Sequence, residues 1–252
     1  MGFAFMSEKY MSLLDHLDEL RTRIIISGAA ILLVTAVAFF FSDPLLKFLL
    51  LPSGGLQLKA FSLMDGFMIK WRIALYTGIV GAFPVWAYHV YRYISPGLKD
   101  DERRAVFSPL IAAFILFILG ALFGYYLLWS MIRVLIQLFP SEVQFLPAAD
   151  DYISFVIFFM LACGIAFQLP TVLVILVRLR LVSAAILRKQ RKIAYFILFA
   201  FAEIITPVSD PIVAPLTVMV PLIILYEISI FAAVQIEAGR EKIDASTTAS
   251  NP

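Results

Sequence analysis

The sequence predicts an all-α integral membrane protein of six transmembrane helices with both termini cytoplasmic, and three observations predict it. Hydrophobic residues make up 62% of the 252 positions, with a mean hydropathy of +0.94, whereas a soluble domain is about half apolar. Six segments approach the roughly 20 apolar residues that a helical crossing of a bilayer needs. Alternation at strand period is absent, and the apolar runs are long and continuous, which favours helices over a β-barrel.

The segments follow in order. Residues 12–23 read as an amphipathic helix on the inner membrane surface: Ser12 and Asp15 have capping-box spacing, and Leu13, Leu17, Leu20 and Ile24 recur at helical intervals. The first span is Ile24 to Phe41. No small-x-small cleavage site follows it, so this span is expected to stay in the mature chain. Pro44 to Leu51 predicts a short helix in the first outer loop, ended by Pro52-Ser53-Gly54-Gly55. The second span is Ile73 to Val90; the third lies between Arg104 and Arg133; the fourth lies between Asp151 and Arg178. The fifth, Ile193 to Thr206, is short and carries Glu203. The sixth, Pro211 to Val234, is joined to it by a few residues, which predicts a short hairpin and local thinning of the bilayer. The chain reads as one polytopic domain over 1–252, with a disordered cytoplasmic tail over 238–252.

Charge orients the bundle. An even number of crossings puts both termini on one side, and assigning that side to the cytoplasm collects fifteen of the 20 Lys and Arg residues. Six of them, Arg178, Arg180, Arg188, Lys189, Arg191 and Lys192, crowd one connection, and basic loops stay inside. The formal net charge of +2 leaves no basic arm for nucleic acid. Prolines at Pro84, Pro109, Pro170 and Pro221 predict kinks that curve the bundle. Gly120 and Gly124 form a small-xxx-small pair that can seat another helix. The two outer loops are expected to cap the outer face.

Enzymatic chemistry finds little support. Two histidines and the single Cys163 give no metal-ligand spacing, and no catalytic dyad or phosphate loop is present. Cys163 reads as a packing residue and excludes an internal disulfide. No cofactor is expected. The inner-face carboxylates Glu19 and Glu102 admit two readings. Glu19 can pair locally with Arg23 at i,i+4, leaving Glu102 a solvated loop charge. Alternatively both line a groove that grips the planar donor forks of two consecutive arginines in a guest peptide. Gln168 and Glu203 are intramembrane polar groups and therefore functional candidates. Asp210 and Glu227 read as interfacial. A secondary transporter would need inverted repeats around a charged midplane site, and the prolines are not placed symmetrically; an intramembrane protease would lack its catalytic residues.

Several motifs in order resemble those of the TatC family, the multispanning core subunits of the twin-arginine protein translocase. They are His16-Leu17-Asp18-Glu19-Leu20-Arg21-Thr22-Arg23, then Phe83-Pro84-Val85, Pro96-Gly97-Leu98 and Glu102-Arg103-Arg104. Tyr152-Ile153-Ser154-Phe155, Ala166-Phe167-Gln168-Leu169-Pro170, and Thr206-Pro207 with Asp210 complete the series. The resemblance implies a concave bundle in a bacterial or archaeal cytoplasmic membrane that receives twin-arginine signal peptides of folded cargo. It also implies homo- and hetero-oligomers with single-span TatA/TatB-type subunits in lipid, and export driven by the proton gradient. It implies that Glu19 and Glu102 contact the arginine motif, with Leu20, Arg21 and Arg103 on the same surface. Pro52, Pro84, Pro96, Pro170 and Asp210 would serve structure or partner docking. The family often carries glutamate where this chain has Gln168, and the expectation is that Glu203 supplies the missing carboxylate.

Overall fold

The computed structural model describes residues 13–94, 107–137, 140, 146–206 and 213–249; the side chains of 13–15, 94, 107–109, 213–214 and 240–249 fall outside that description. Among the described residues the regular elements are helices, apart from one isolated bridge between Lys59 and Ala148. We label them α1 (Leu13–Phe40), α2 (Ser42–Leu50), α3 (Asp65–Gly81), α4 (Phe83–Ile94), α5 (Phe107–Gln137), α6 (Ala149–Ala166), α7 (Leu169–Arg178), α8 (Ala184–Lys189), α9 (Arg191–Ile205) and α10 (Val213–Ala249).

Among the described residues four stretches are long and apolar enough to cross a bilayer: His16–Phe40, Leu110–Gln137, Ala149–Arg178 and Pro215–Gly239. The pair α3 and α4, bent by 51° at Ala82, makes a fifth if counted as one span. α9 has 15 residues and rises about 22 Å, short of a core about 30 Å thick. The amphipathic start of the chain is continuous with the first span in α1. The backbone of α10 is helical to Ala249 and so takes in most of the polar tail for which disorder was expected.

Two of the four span prolines sit where a helix restarts. Pro84 and Pro170 each occupy the first turn of α4 and α7, where the missing N–H is not needed. The break at Ala82 strands carbonyls at the end of α3, and the Trp86 indole N–H donates to Ile79 O at 3.0 Å. Phe83 then packs on Trp86 and Phe117, with ring centroids 4.6 and 4.7 Å away. Pro221, by contrast, lies inside a continuous α10.

Lipid tails are as apolar as leucine, so such helices are held by close packing and internal hydrogen bonds. Small residues set the seams here. A Cβ on Gly78 of α3 would stand 2.0 Å from Thr35 Oγ1 and 2.9 Å from Ile31 O of α1. A Cβ on Gly120 of α5 would stand 2.6 Å from Cys163 O, and one on Gly124 would stand 3.0 Å from the Cys163 side chain of α6. The small-xxx-small pair therefore seats a helix of this same chain, with buried Cys163 in the seam. Around these contacts Ile73, Leu128, Ile153, Val156, Phe159 and Leu222 form the main core.

One end of the bundle is tied across the chain. α2 ends in a 3-10 turn holding buried Pro52, followed by Gly54 and Gly55 at φ of 63° and 89°, the left-handed region open to glycine. Lys59 N donates to Pro147 O at 3.1 Å, and Ala149 N donates to Lys59 O at 2.8 Å, which joins the α2–α3 and α5–α6 connections. Arg72 of α3 pairs with Asp150 at 3.1 Å and with Ser154 Oγ of α6. Tyr125 and Tyr152 donate to Phe48 O and Leu49 O of α2 at 2.8 and 3.3 Å.

At the opposite end, α7 stops in a Schellman turn. Arg180 N donates to Val177 O and Leu181 N to Leu176 O, both at 3.0 Å, with Arg180 itself at φ 59°. Ser183 Oγ and Glu237 Oε1 accept from the first N–H groups of α8, Ile186 N at 3.3 Å and Ala184 N at 2.9 Å. α9 leans on α10 and α8.

Candidate functional site: the α1–α4 rim

His16, Glu19 and Arg23 recur at three- and four-residue intervals and so share one face of α1. That face meets α4 running the other way. The imidazole of His16 stacks on the ring of Tyr93, with centroids 4.3 Å apart and planes 13° off parallel. The start of α1 therefore lies beside the end of α4, and the segment 95–106 leaves α4 two residues after Tyr93.

One turn along α1, Arg23 donates to Glu19 Oε1 from Nε at 2.9 Å and also from Nη2. Both donors of one guanidinium edge thus converge on a single carboxylate oxygen. Oε2 carries no bond among the described residues. The pair is half-sheltered: the Glu19 side chain is 21% exposed and that of Arg23 is 14% exposed. The local pairing read from the i,i+4 spacing is present, and it shows this carboxylate accepting the edge of a guanidinium. Arg21 is exposed on the neighbouring face, and Leu20 is half-buried. His89 of α4 reaches the same seam, with Nδ1 buried and without a hydrogen-bond partner among the described residues. Arg92 donates to Tyr88 Oη at 3.1 Å. Sequence reasoning read His16 only as part of the motif before the first span and gave Tyr93 and His89 no place at this rim; the shared face of His16 with Glu19 was the available signal.

Glu102, Arg103 and Pro96 lie in 95–106, outside the described residues, as does Asp210 in 207–212.

The intramembrane polar pair is separated. Gln168 sits at the α6–α7 junction, where its Nε2 donates to Ala113 O of α5 at 2.8 Å. Glu203 is exposed on α9, and its carboxylate has no bond among the described residues. α9 packs on α10 and α8, away from the Gln168 junction, so the two residues are not brought together. Glu227 is paired at the foot of the last hairpin, accepting from Arg191 and from Tyr195 Oη, each at 2.6 Å. Buried Pro170 and exposed Pro84 flank helix breaks, and Pro52 is buried in the outer turn. No group of three or more His, Cys, Asp or Glu side chains that could hold a metal occurs among the described residues.

Known proteins share this architecture. The family model described as Sec-independent protein translocase protein (TatC) matches residues 15–221. The Sec-independent protein translocase protein TatC of Carboxydothermus hydrogenoformans is 35% identical over 231 residues, covering 90% of this chain and 95% of the relative. TatCy of Bacillus subtilis is 33% identical over 248 residues, 97% of this chain and 96% of its own. A crystal structure described as the twin arginine translocase receptor TatC superposes with a TM-score of 0.73 at 35% identity, covering 87% of this chain and 98% of that one.

Proposed function

The chain belongs to the TatC family of Sec-independent protein translocases, and from that premise we propose that it is the receptor for twin-arginine signal peptides. In this reading it is also the core of a translocon that exports folded proteins across a bacterial or archaeal cytoplasmic membrane. A TatC protein is a membrane component of protein transport and not an enzyme.

The observation that carries the reading is the Glu19–Arg23 contact. A carboxylate at the α1–α4 rim already accepts the edge of a guanidinium, and its Oε2 has no partner among the described residues. A guest arginine presents the same planar fork, which matches a carboxylate where lysine does not. Tyr93, near the end of α4, stacks on His16 one turn from Glu19, and the segment bearing Glu102 and Arg103 follows α4 in sequence. In this proposal Glu19 and Glu102 each hold one guanidinium of the guest, and Leu20, Arg21 and Arg103 complete the surface.

The same proposal has one polytopic domain with six membrane-entering helices and both termini cytoplasmic. The α9–α10 hairpin is the short pair, and single-span TatA/TatB-type subunits dock along it, where Glu203 offers an exposed carboxylate. The proton gradient supplies the energy.

The test is binding of a fluorescent twin-arginine signal peptide to the purified chain. A charge-assisted bidentate contact is worth about 1.5–3 kcal/mol, so Glu19→Gln or Glu102→Gln is expected to raise Kd roughly ten- to hundred-fold. Equal binding of a peptide with both arginines changed to alanine would refute the assignment.

A further inference from the structure

Both donors of the Arg23 edge rest on Oε1 of Glu19. An incoming guanidinium that binds a carboxylate side-on uses both oxygens, so it needs Oε1 as well as Oε2. Arg23 then loses both bonds. Its side chain is only 14% exposed, and a sheltered guanidinium stripped of its acceptor is costly. Side-on capture at Glu19 is therefore favourable only where Arg23 finds a second acceptor.

Helix register brings one to the same level. α1 and α4 run antiparallel, and the His16–Tyr93 stack fixes their alignment. Counting from that stack at helical rise, Glu19 lies about 4.5 Å along α1 and His89 about 6 Å along α4 in the same direction. His89 and Tyr93 are four residues apart and share a face of α4. The Arg23 guanidinium reaches back one turn to Glu19 and so comes to this level too. Of the charges around the imidazole, that of Arg23 bears on it most and that of Arg92 next. Nδ1 of His89 has no hydrogen-bond partner among the described residues, and a neutral imidazole carries one nitrogen able to accept. Tyr88 Oη already accepts from Arg92 at 3.1 Å. Burial of Nδ1 from water is no obstacle here, because the donor is a side chain already in the seam.

We propose that His89 is a positioning residue for guest capture: as the guest arginine takes Glu19, Arg23 releases that carboxylate and donates to His89 Nδ1. The inference rests on Glu19 as the guest-holding carboxylate. The exchange keeps each cation paired. The carboxylate keeps one guanidinium throughout, and the displaced one passes to a neutral acceptor across the α1–α4 seam. Arg23 thereby holds the carboxylate in place before the guest arrives, and His89 lets it go.

The test measures binding of the fluorescent twin-arginine peptide to the purified full chain in detergent. His89→Leu removes the acceptor and is expected to raise Kd about tenfold. His89→Asn puts an acceptor oxygen on Cγ, where Nδ1 is attached, and is expected to bind within about twofold of wild type. Arg23→Leu removes the group that has to move, so His89→Leu is expected to add no loss in that chain. The wild-type chain gives a reading free of folding effects. With ¹⁵N-histidine, only His16 and His89 give imidazole signals, and His16→Phe, which keeps a ring on Tyr93, tells them apart. Nδ1 of His89 is expected to carry no proton in the free chain and to shift upfield when the peptide binds. It is expected to stay still with a peptide whose two arginines are alanine. Wild-type binding by His89→Leu, a loss in His89→Asn equal to that in His89→Leu, or an undiminished loss in the Arg23→Leu chain would overturn the proposal. So would a protonated Nδ1 in the free chain, or an Nδ1 signal that the peptide leaves unmoved. Glu19→Gln separates the two levels. Unchanged peptide binding there refutes Glu19 as the guest holder, whereas its loss beside wild-type binding by His89→Leu refutes the exchange alone.

Discussion

Glu19 and Arg23 are four residues apart, and their contact was legible from that spacing alone. Gln168 was not readable in the same way. Its partner, the Ala113 carbonyl, stands 55 residues earlier on another helix, and no local pattern encodes such a distance. The two cases predict different things. Gln168→Leu deletes a bond between α5 and the α6–α7 junction, and thermal unfolding in detergent is expected to register a loss of about 1 kcal/mol. A loss of nothing would mean that the amide bond is replaced by another. Arg180 offers the opposite sign. It occupies the left-handed position of a helix-ending turn where glycine is the usual residue. Arg180→Gly is expected to stabilise the chain by about 1 kcal/mol, since only glycine adopts that backbone without steric penalty. A destabilised Arg180→Gly would point to a contact of the side chain that outweighs the backbone.

For the helices, Gly120 and Gly124 announced a close approach, and the prolines announced breaks. What the pattern could not supply was the partner or the choice among prolines. Gly120 and Gly124 fit against Cys163 because α5 and α6 happen to be neighbours in space, and Pro84 breaks a helix while Pro221 does not. The seam gives a graded expectation. Gly120→Ala puts a methyl 2.6 Å from a backbone carbonyl oxygen, which can move only with its helix, so a cost of about 1–3 kcal/mol is expected. Gly124→Ala meets the Cys163 side chain at 3.0 Å, which yields more readily, and its cost should be smaller. Gly28→Ala on α1 meets nothing within 4 Å and should be neutral or stabilising by up to about 1 kcal/mol. Unfolding temperatures of the three variants in one detergent check the order; Gly28→Ala as the most damaging would contradict this account of the seams.

For the whole molecule, the all-helical class with several apolar spans and the short helix α2 were readable from composition and proline–glycine punctuation. The ties themselves were not, because Arg72 with Asp150 and Lys59 with Ala148 are each close to eighty or ninety residues apart in sequence. Span number stayed harder. α9 is apolar like a crossing helix but has only 15 residues, so composition and length disagree. The outer join is directly testable. Lys59 and Ala148 are paired across a backbone bridge, so a Lys59→Cys/Ala148→Cys chain is expected to form an oxidant-dependent disulfide visible as a gel shift. The native Cys163 is buried and should not compete. Failure of the pair to cross-link would separate the two loops.

These contacts divide the molecule mechanically. α1 meets α3 and α5 meets α6 at glycine seams, and Arg72, Tyr125 and Tyr152 tie these helices and α2 together at one end. α9 leans on α10 and α8, with its remaining flank open. In the role proposed above, the guest would be held on the side of the glycine seams, while α9, whose Phe196 and Ile204 are 72% and 78% exposed, would be the element left to move.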